Sequence, residues 1–349
     1  MNRFTFQRAA SVDMAVAALE ASPRAHVIAG GSNLLDLIKS NVETPETLVD
    51  ISRIAALAAI SGTAEGGLHI GAMVTNAALA RDERVIARFP LLSDAILAGA
   101  TPQLRNAATA GGNLNQRTRC YYFYDTATPC NKREPGTGCP AIDGRNRIHA
   151  ILGTSLHCIA THPSDMCVAL AALGAIVHAS GPDGERTILI GDYHRLPGDT
   201  PHLDNTLQAG EVVTGITLPA ASQIFGSHYT YLKLRDRLSY AFALVSVAAA
   251  VDLDGGTIRQ ARIALGGVAH KPWRRDEAEA LLVGKPAQED TFAKAADALL
   301  AGAQGFEHNR FKIELARRAI TRAMAQAVAG TPQTSTDKRI AQGHHHAHQ

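Results

Sequence analysis

The most informative segment of the sequence is Ala107–Cys167, which begins AATAGGNLNQRTRC and ends ATHPSDMC. It contains a glycine turn at Ala110–Asn113, all five cysteines of the protein, and a typical helix start at His162–Asp165. Glycine has no Cβ, so a ligand can approach the backbone closely at such a turn, and cysteine thiolates are soft metal ligands. The segment therefore predicts a ligand-binding turn next to a metal or redox site.

The five cysteines are clustered at Cys120, Cys130, Cys139, Cys158 and Cys167. A disulfide framework is not expected in a chain of 349 residues, whose core does not need covalent cross-links. Their spacing matches neither the CxxC of zinc fingers nor the tight run of bacterial ferredoxins. Cys167 falls in a predicted amphipathic helix, where a buried thiol behaves as a small hydrophobic group. We therefore expect the other four to bind a [4Fe–4S] cluster, with zinc at the same positions as the alternative.

A second glycine turn lies near the start of the chain. The apolar strand Ala25–Ala29 runs into Gly30-Gly31-Ser32-Asn33, and a helix start follows at Leu34–Lys39. Bare backbone N–H groups at a strand–turn–helix junction bind anions, although the GxGxxG dinucleotide fingerprint is absent. Alone, a Gly-Gly turn is often only a tight turn. Two such turns from two lobes could hold a dinucleotide between them.

Composition and charge exclude several classes of function. The chain is 46% apolar and 19% charged, which is typical of a globular protein with real cores. Its net charge of +2 argues against nucleic-acid binding, and no apolar run is long enough for membrane insertion. Basic residues outnumber acidic ones in residues 101–160. Their positive charge could offset the negative charge of a pyrophosphate or an anionic cluster, or the segment could simply be a solvated loop.

The order of predicted elements indicates an α+β protein. Residues 1–55 are expected to form a first lobe, and residues 56–220 a second lobe containing an irregular loop at 115–160. Residues 226–330 predict a smaller α+β domain. The polar residues 331–349 are expected to be disordered, and their interrupted histidine run is excluded from any metal site.

Four motifs together carry a family resemblance. Gly30-Gly31-Ser32-Asn33, Ala110-Gly111-Gly112-Asn113, Pro163-Ser164-Asp165 and Gly266-Gly267-Val268 occur in this order. Over about residues 1–330 the chain resembles the FAD-binding subunits of the molybdenum hydroxylases, the xanthine dehydrogenase and aldehyde oxidoreductase family. The resemblance implies a two-lobed FAD-binding domain of the vanillyl-alcohol-oxidase (PCMH-like) type, followed by a C-terminal domain like that of CO dehydrogenase flavoproteins.

The cysteine-bearing loop, which most of that family lacks, narrows the resemblance. Arg117–Asp125, Pro129–Arg133 and Cys139 are similar to one branch, the FAD subunits of bacterial periplasmic aldehyde oxidoreductases, which carry an extra [4Fe–4S] cluster. The flavin subunit of 4-hydroxybenzoyl-CoA reductase has a similar loop. The resemblance thus implies both FAD and a [4Fe–4S] cluster.

The resemblance also implies a set of FAD-binding residues. The pyrophosphate would be wrapped by His26, Val27, Ile28, Ala29, Gly30, Gly31, Ser32, Asn33 and Leu34, and held from the second lobe by Ala108, Gly112 and Asn113. Asp165 would meet the ribityl or ribose hydroxyls, and Lys233 would lie near the flavin. No residue of this chain would act on the substrate directly.

The implied partners are a large molybdenum-cofactor subunit and a small subunit with two [2Fe–2S] clusters. An aldehyde would be oxidised to a carboxylic acid on the large subunit, and electrons would pass through the small subunit and FAD to an external acceptor. The N-terminus lacks a secretory signal, so a periplasmic location would require co-export with a signal-bearing partner; the cytoplasm is the alternative. A stand-alone flavin oxidoreductase with a zinc loop and a non-catalytic nucleotide-binding scaffold remain alternatives.

Overall fold

The computed structural model describes residues 2–238 and 240–330. The expected disordered tail and its histidine run lie outside the described residues. None of the described helices is both long enough and apolar enough to cross a membrane.

The first lobe is a small parallel sheet with two helices. Its elements are β1 (Thr5–Arg8), α1 (Val12–Glu20), β2 (Ala25–Ile28), α2 (Leu34–Lys39) and β3 (Thr47–Asp50). The strand order is β1-β3-β2, so all three strands end at the same edge. Ser11 caps the start of α1, where its hydroxyl accepts from the Met14 amide at 3.2 Å. The Gly30-Gly31 turn leaves β2 at that common edge.

The second lobe is an antiparallel sheet of five strands with helices packed around it. The strands are β4 (Ile60–Gly62), β5 (Leu68–Gly71), β6 (Ile176–Gly181), β7 (Gly184–Leu189) and β8 (Val212–Leu218), in the order β4-β5-β8-β6-β7. The helices are α3 (Asn76–Arg81), α4 (Glu83–Arg88), α5 (Pro90–Ala98), α6 (Pro102–Ala107), α7 (Ala110–Leu114), α8 (Tyr121–Tyr124), α9 (Asp165–Ala172) and α10 (Ile190–Tyr193). Short 3₁₀ helices span Ala55–Ala58 and Ala220–Phe225. The second of these lies between the second lobe and the C-terminal domain.

The C-terminal domain is a three-stranded sheet covered by helices. It contains β9 (Tyr229–Leu234), β10 (Val245–Asp254), β11 (Thr257–Gly266), α11 (Asp276–Ala280), α12 (Glu289–Leu299) and α13 (Phe311–Val328). Side chains alternate across a strand, and in β10 Ala248 and Ala250 join the core of the second lobe. Val247 and Val251 join the core of the C-terminal helices. The strand is therefore buried on both faces, which explains its small, continuously apolar composition.

Helix α9 differs from the amphipathic helix that the sequence predicts. All eight of its residues are buried, because α5 packs on one side and β10 and β11 pack on the other. Ser164 begins the helix as expected, and its hydroxyl accepts from the Cys167 amide at 3.0 Å. A helix covered on every side needs no polar face.

Candidate functional site

A cleft of about 480 Å³ lies between the first lobe and the second. The predicted residues that line it are His26, Val27, Ala29, Gly30, Gly31, Ser32, Asn33, Leu34 and Gly112. The cleft is also lined by residues that sequence reasoning did not select, among them Arg117, Asp204 and Val213. The first glycine turn and part of the second therefore share one cavity, as the two-turn interpretation expects.

The first glycine turn packs against the segment just before the second turn. A Cβ on Gly30 would lie 1.8 Å from the carbonyl oxygen of Ala107, at the end of α6, so no larger residue fits without moving the backbone. Gly31 has a φ of +69°, in the left-handed region that favours glycine. Gly30 is therefore required by close packing and Gly31 by the conformation of the turn.

Two polar atoms on the cleft wall have no protein partner. Asn33 Nδ2 and His26 Nδ1 are both buried without a hydrogen bond, whereas Asn33 Oδ1 accepts from the Arg117 amide at 2.9 Å. A buried polar group without a partner is costly, so these atoms are well suited to a ligand that offers oxygen atoms. The wall of the cleft therefore fits a nucleotide with phosphates and hydroxyls.

Charged side chains close one end of the cleft. The Arg117 guanidinium donates to Asp204 at 2.6 Å and pairs with Glu43, and His26 lies 3.4 Å from Glu43. Burial alone would raise the pKa of Glu43, but the hydrogen bond from His26 and the charge of Arg117 bring that pKa below its ordinary value. Arg117 is thus held by two carboxylates rather than left free for a phosphate.

Five of the predicted residues do not line this cavity: Ile28, Ala108, Asn113, Asp165 and Lys233. Asn113 Oδ1 accepts from the Ser164 hydroxyl at 2.6 Å. Asp165 accepts from Lys233 and from the Tyr231 hydroxyl, both at 2.7 Å. These side chains bind one another at the junction of α7, α9 and β9, and their contact with a cofactor stays a prediction.

The four cysteines predicted as ligands, Cys120, Cys130, Cys139 and Cys158, line one small cavity. Cys130, Cys139 and Cys158 come from an irregular stretch, since the described residues 125–164 contain neither a helix nor a strand. Cys120 directly precedes α8. The space enclosed among them is about 10 Å³. Cys167 lies outside this cavity, fully buried in α9. The structure therefore brings together the same four thiols that the sequence selects.

The four thiols are not packed as tightly as ligands of one metal ion. Among the described residues, no three of them lie within 4.8 Å of one another. A tetrahedral zinc ion with bonds of 2.3 Å would require sulfur atoms roughly 3.8 Å apart. The four thiols are therefore spaced more widely than the ligands of a tetrahedral zinc ion.

Hydrogen bonds reach the sulfur atoms from the surrounding chain. His149 Nε2 lies 3.1 Å from Cys120 Sγ, and the Ala160 amide donates to Cys158 Sγ at 3.4 Å. Burial raises the pKa of the Cys120 thiol to about 12 and that of Cys158 to about 11. Sequence reasoning missed His149, whose position depends on the fold rather than on any motif.

Asn131 and Lys132 hold the arm between Cys130 and Cys139. Asn131 Oδ1 accepts from the amides of Gly136 and Gly138 at 3.0 and 2.8 Å. The Lys132 ammonium donates to the Pro201 carbonyl at 2.7 Å and to Asp204 at 2.6 Å. The arm between Cys130 and Cys139 is thereby attached to the segment containing Pro201 and Asp204, which forms part of the cleft wall.

A separate group of ligand-type side chains surrounds Cys167. Its thiol and the ring nitrogens of His162 and His194 lie within 4.8 Å of one another. His194 Nε2 contacts the Leu114 carbonyl at 2.9 Å, and burial lowers the pKa of His194 to about 4. Sequence reasoning did not predict this group, because His194 is distant in the chain and has no motif.

Comparison with family models covers nearly all of the described chain. Residues 2–221 match the FAD binding domain in molybdopterin dehydrogenase, and residues 228–327 match the CO dehydrogenase flavoprotein C-terminal domain. The first match corresponds to the two lobes that form the cleft, and the second to the three-stranded domain.

Similar proteins are subunits of oxidoreductases. The chain is 48% identical to the aldehyde oxidoreductase FAD-binding subunit PaoB of Escherichia coli (strain K12), covering 94% of this chain and 99% of that one. It is 28% identical to the carbon monoxide dehydrogenase medium chain of Afipia carboxidovorans, over 93% of this chain and 98% of that one.

Solved structures share the fold. A chain of reconstituted CO dehydrogenase from Oligotropha carboxidovorans matches with a TM-score of 0.73 and 26% identity, covering 94% of this chain and 98% of that chain. A chain of quinoline 2-oxidoreductase from Pseudomonas putida 86 matches with a TM-score of 0.72 and 27% identity, covering 95% and 98%. The α+β architecture with a CO dehydrogenase-like C-terminal domain is thus confirmed. The chain belongs to the FAD-binding subunits of the molybdenum hydroxylase family and is an oxidoreductase subunit.

Proposed function

We propose that this protein is the FAD- and [4Fe–4S]-containing electron-transfer subunit of a molybdenum-dependent aldehyde oxidoreductase. The observation that carries the proposal is that four loop cysteines line a single cavity beside the FAD-type cleft. The 48% identity to an aldehyde oxidoreductase FAD-binding subunit supports aldehydes as the substrates of the complex.

FAD would occupy the cleft with its pyrophosphate at the two glycine turns. FAD can exchange electrons one or two at a time, which suits a chain that links different redox partners. The phosphates would meet backbone N–H groups at Gly30 and Gly31. FAD would also supply the hydrogen-bond partners that Asn33 Nδ2 and His26 Nδ1 lack. Residues 1–55 and 56–220 would be the two FAD-binding lobes, and residues 226–330 the domain that covers them.

The cysteine loop would hold the cluster with Cys120, Cys130, Cys139 and Cys158. Thiolates are the usual ligands of such clusters, and hydrogen bonds to the sulfurs tune them. The space among the thiols is small, at about 10 Å³. Cys130 and Cys139 are only half-buried, so their arm is the part of the site that would shift when the cluster is inserted.

The proposed assembly is a heterotrimer. The names of the relatives describe FAD-binding subunits and medium chains, which supports a large molybdenum-cofactor subunit and a small subunit with two [2Fe–2S] clusters as partners. Aldehyde oxidation would occur on the large subunit. Electrons would reach this chain from the small subunit and leave to an external acceptor. We further propose a periplasmic location, reached by co-export with a signal-bearing partner.

The test is the cofactor content of anaerobically purified protein. We expect one FAD and about four irons per chain, with flavin bands and a broad shoulder near 400 nm. One zinc per chain with FAD and no iron would replace the proposal by a stand-alone flavin oxidoreductase with a structural zinc loop. Folded protein with neither flavin nor metal would leave a nucleotide-binding scaffold without redox chemistry.

A further inference from the structure

Lys132 is a buried cation within the cysteine loop. It lies between Cys130 and Cys139 in the chain, and it lines the cavity formed by the four thiols. Its side chain is 1% exposed. Burying an ammonium group is strongly unfavourable unless it is paired, so a lysine at this position needs a specific partner.

That partner is Asp204, which belongs to the wall of the neighbouring cleft. One of its carboxylate oxygens accepts from Lys132 at 2.6 Å and the other accepts from Arg117 at 2.6 Å. His270 Nε2 lies 3.5 Å from the same carboxylate. Burial would raise the pKa of Asp204, but the charges of Lys132 and Arg117 outweigh it and hold that pKa well below its usual range. Asp204 is therefore ionised where it meets Lys132.

The charge of Lys132 lies beside the cysteine thiols. Lys132 shares the wall of one small cavity with Cys120, Cys130, Cys139 and Cys158. The same charge would act on any anionic group bound by the thiols, in surroundings with little water to screen it.

We propose that Lys132 and Asp204 are an electrostatic pair that sets the reduction potential of the bound [4Fe–4S] cluster. This inference rests on the proposed function. Reduction adds one negative charge to the cluster, so a nearby cation favours the reduced state and a nearby anion opposes it. Lys132 raises the reduction potential of the cluster. Asp204, which does not line the thiol cavity, partly cancels this effect. The pair would keep the reduction potential of the cluster close to that of the flavin. It would also leave neither buried charge without a partner.

The test is a redox titration, monitored by electron paramagnetic resonance, of the purified wild-type protein and four variants. Lys132→Met should shift the cluster potential to more negative values, because the cation is lost and Asp204 remains. Asp204→Asn should shift it to more positive values. The double variant should return close to wild type, and Lys132→Arg should keep most of the wild-type value because it keeps the charge.

The matched control is Asp252→Asn, which removes the carboxylate of another ion pair, the 2.8 Å bond to Arg259 on the β10–β11 hairpin. It should leave the potential unchanged. Three outcomes would overturn the electrostatic assignment in favour of a purely structural role. The cluster potentials of the two single variants could shift in the same direction, they could stay unchanged, or both variants could lose their iron. Wild-type protein without iron would instead reject the proposed function, and the inference with it.

Discussion

Asp165 Oδ2 accepts a 2.7 Å hydrogen bond from Lys233 Nζ, and this ion pair joins the start of α9 in the second lobe to β9 in the C-terminal domain. Both side chains are almost fully buried, at 9% and 4% exposure. Tyr231, two residues before Lys233, donates to the other carboxylate oxygen at 2.7 Å. The pair therefore holds the two domains together whether or not it also meets the cofactor.

Removing one member of this pair is expected to destabilise the protein strongly. Lys233→Met leaves a buried carboxylate without its cation, and such changes lower the free energy of unfolding by about 3–5 kcal/mol. The measurement is urea unfolding followed by circular dichroism. The double variant Asp165→Asn with Lys233→Met should recover part of the loss. An exposed pair, Arg318 with Glu314, is the control, and Arg318→Met should have little effect. Equal effects at both sites would contradict the structural role.

Iron content should depend on the loop cysteines and not on Cys167. Cys130→Ser and Cys139→Ser each remove a thiol from the shared cavity, so we expect iron to fall well below wild type while FAD is retained. Cys167→Ser is the matched control, because that thiol lies in α9 outside the cavity, and it should keep its iron. Iron and flavin per chain are measured together. Unchanged iron in the loop variants would reject this ligand set.

Sequence reasoning predicted the parts of the site that are local in the chain. The Gly30-Gly31 turn follows directly from a strand that ends in glycine, and it lies on the cleft as expected. The four loop cysteines were selected because Cys167 falls in a regular helix and the others do not. Each of these inferences needs only neighbouring residues, so the fold did not have to be known.

Other parts of the site depend on contacts between distant segments. Asp204 lies in a loop without any motif, and its role appears only when the fold places it between Lys132 and Arg117. His149 reaches Cys120 in the same way. The amphipathic prediction for α9 was wrong for a related reason: whether a helix has a solvent face depends on what packs over it, and β10 and β11 cover this one.

Gly30→Ala should abolish or greatly weaken FAD binding. The new Cβ would lie 1.8 Å from the Ala107 carbonyl oxygen, and this contact is with backbone that cannot rotate away. We expect at least a tenfold loss of FAD affinity, about 1.4 kcal/mol, measured by flavin fluorescence titration of the apoprotein. Gly191→Ala is the control, since nothing lies within 4 Å of its Cβ. Normal FAD affinity in Gly30→Ala would show that Gly30 is not packed against the Ala107 carbonyl in solution.

Acid should destabilise the folded protein partly through His194. Burial lowers the pKa of this histidine to about 4, whereas an unfolded histidine has a pKa near 6.5. Between these values the unfolded state binds the extra proton, so the stabilisation present above about pH 6.5 is lost as the pH falls towards 4. The loss is at most about 1.4 kcal/mol per pH unit for one such group.

Urea unfolding at pH 7 and pH 5 should show a smaller pH dependence in His194→Gln than in wild type. The exposed His157→Gln is the control and should keep the wild-type slope. Identical slopes in all three proteins would mean that His194 is not buried in its neutral form.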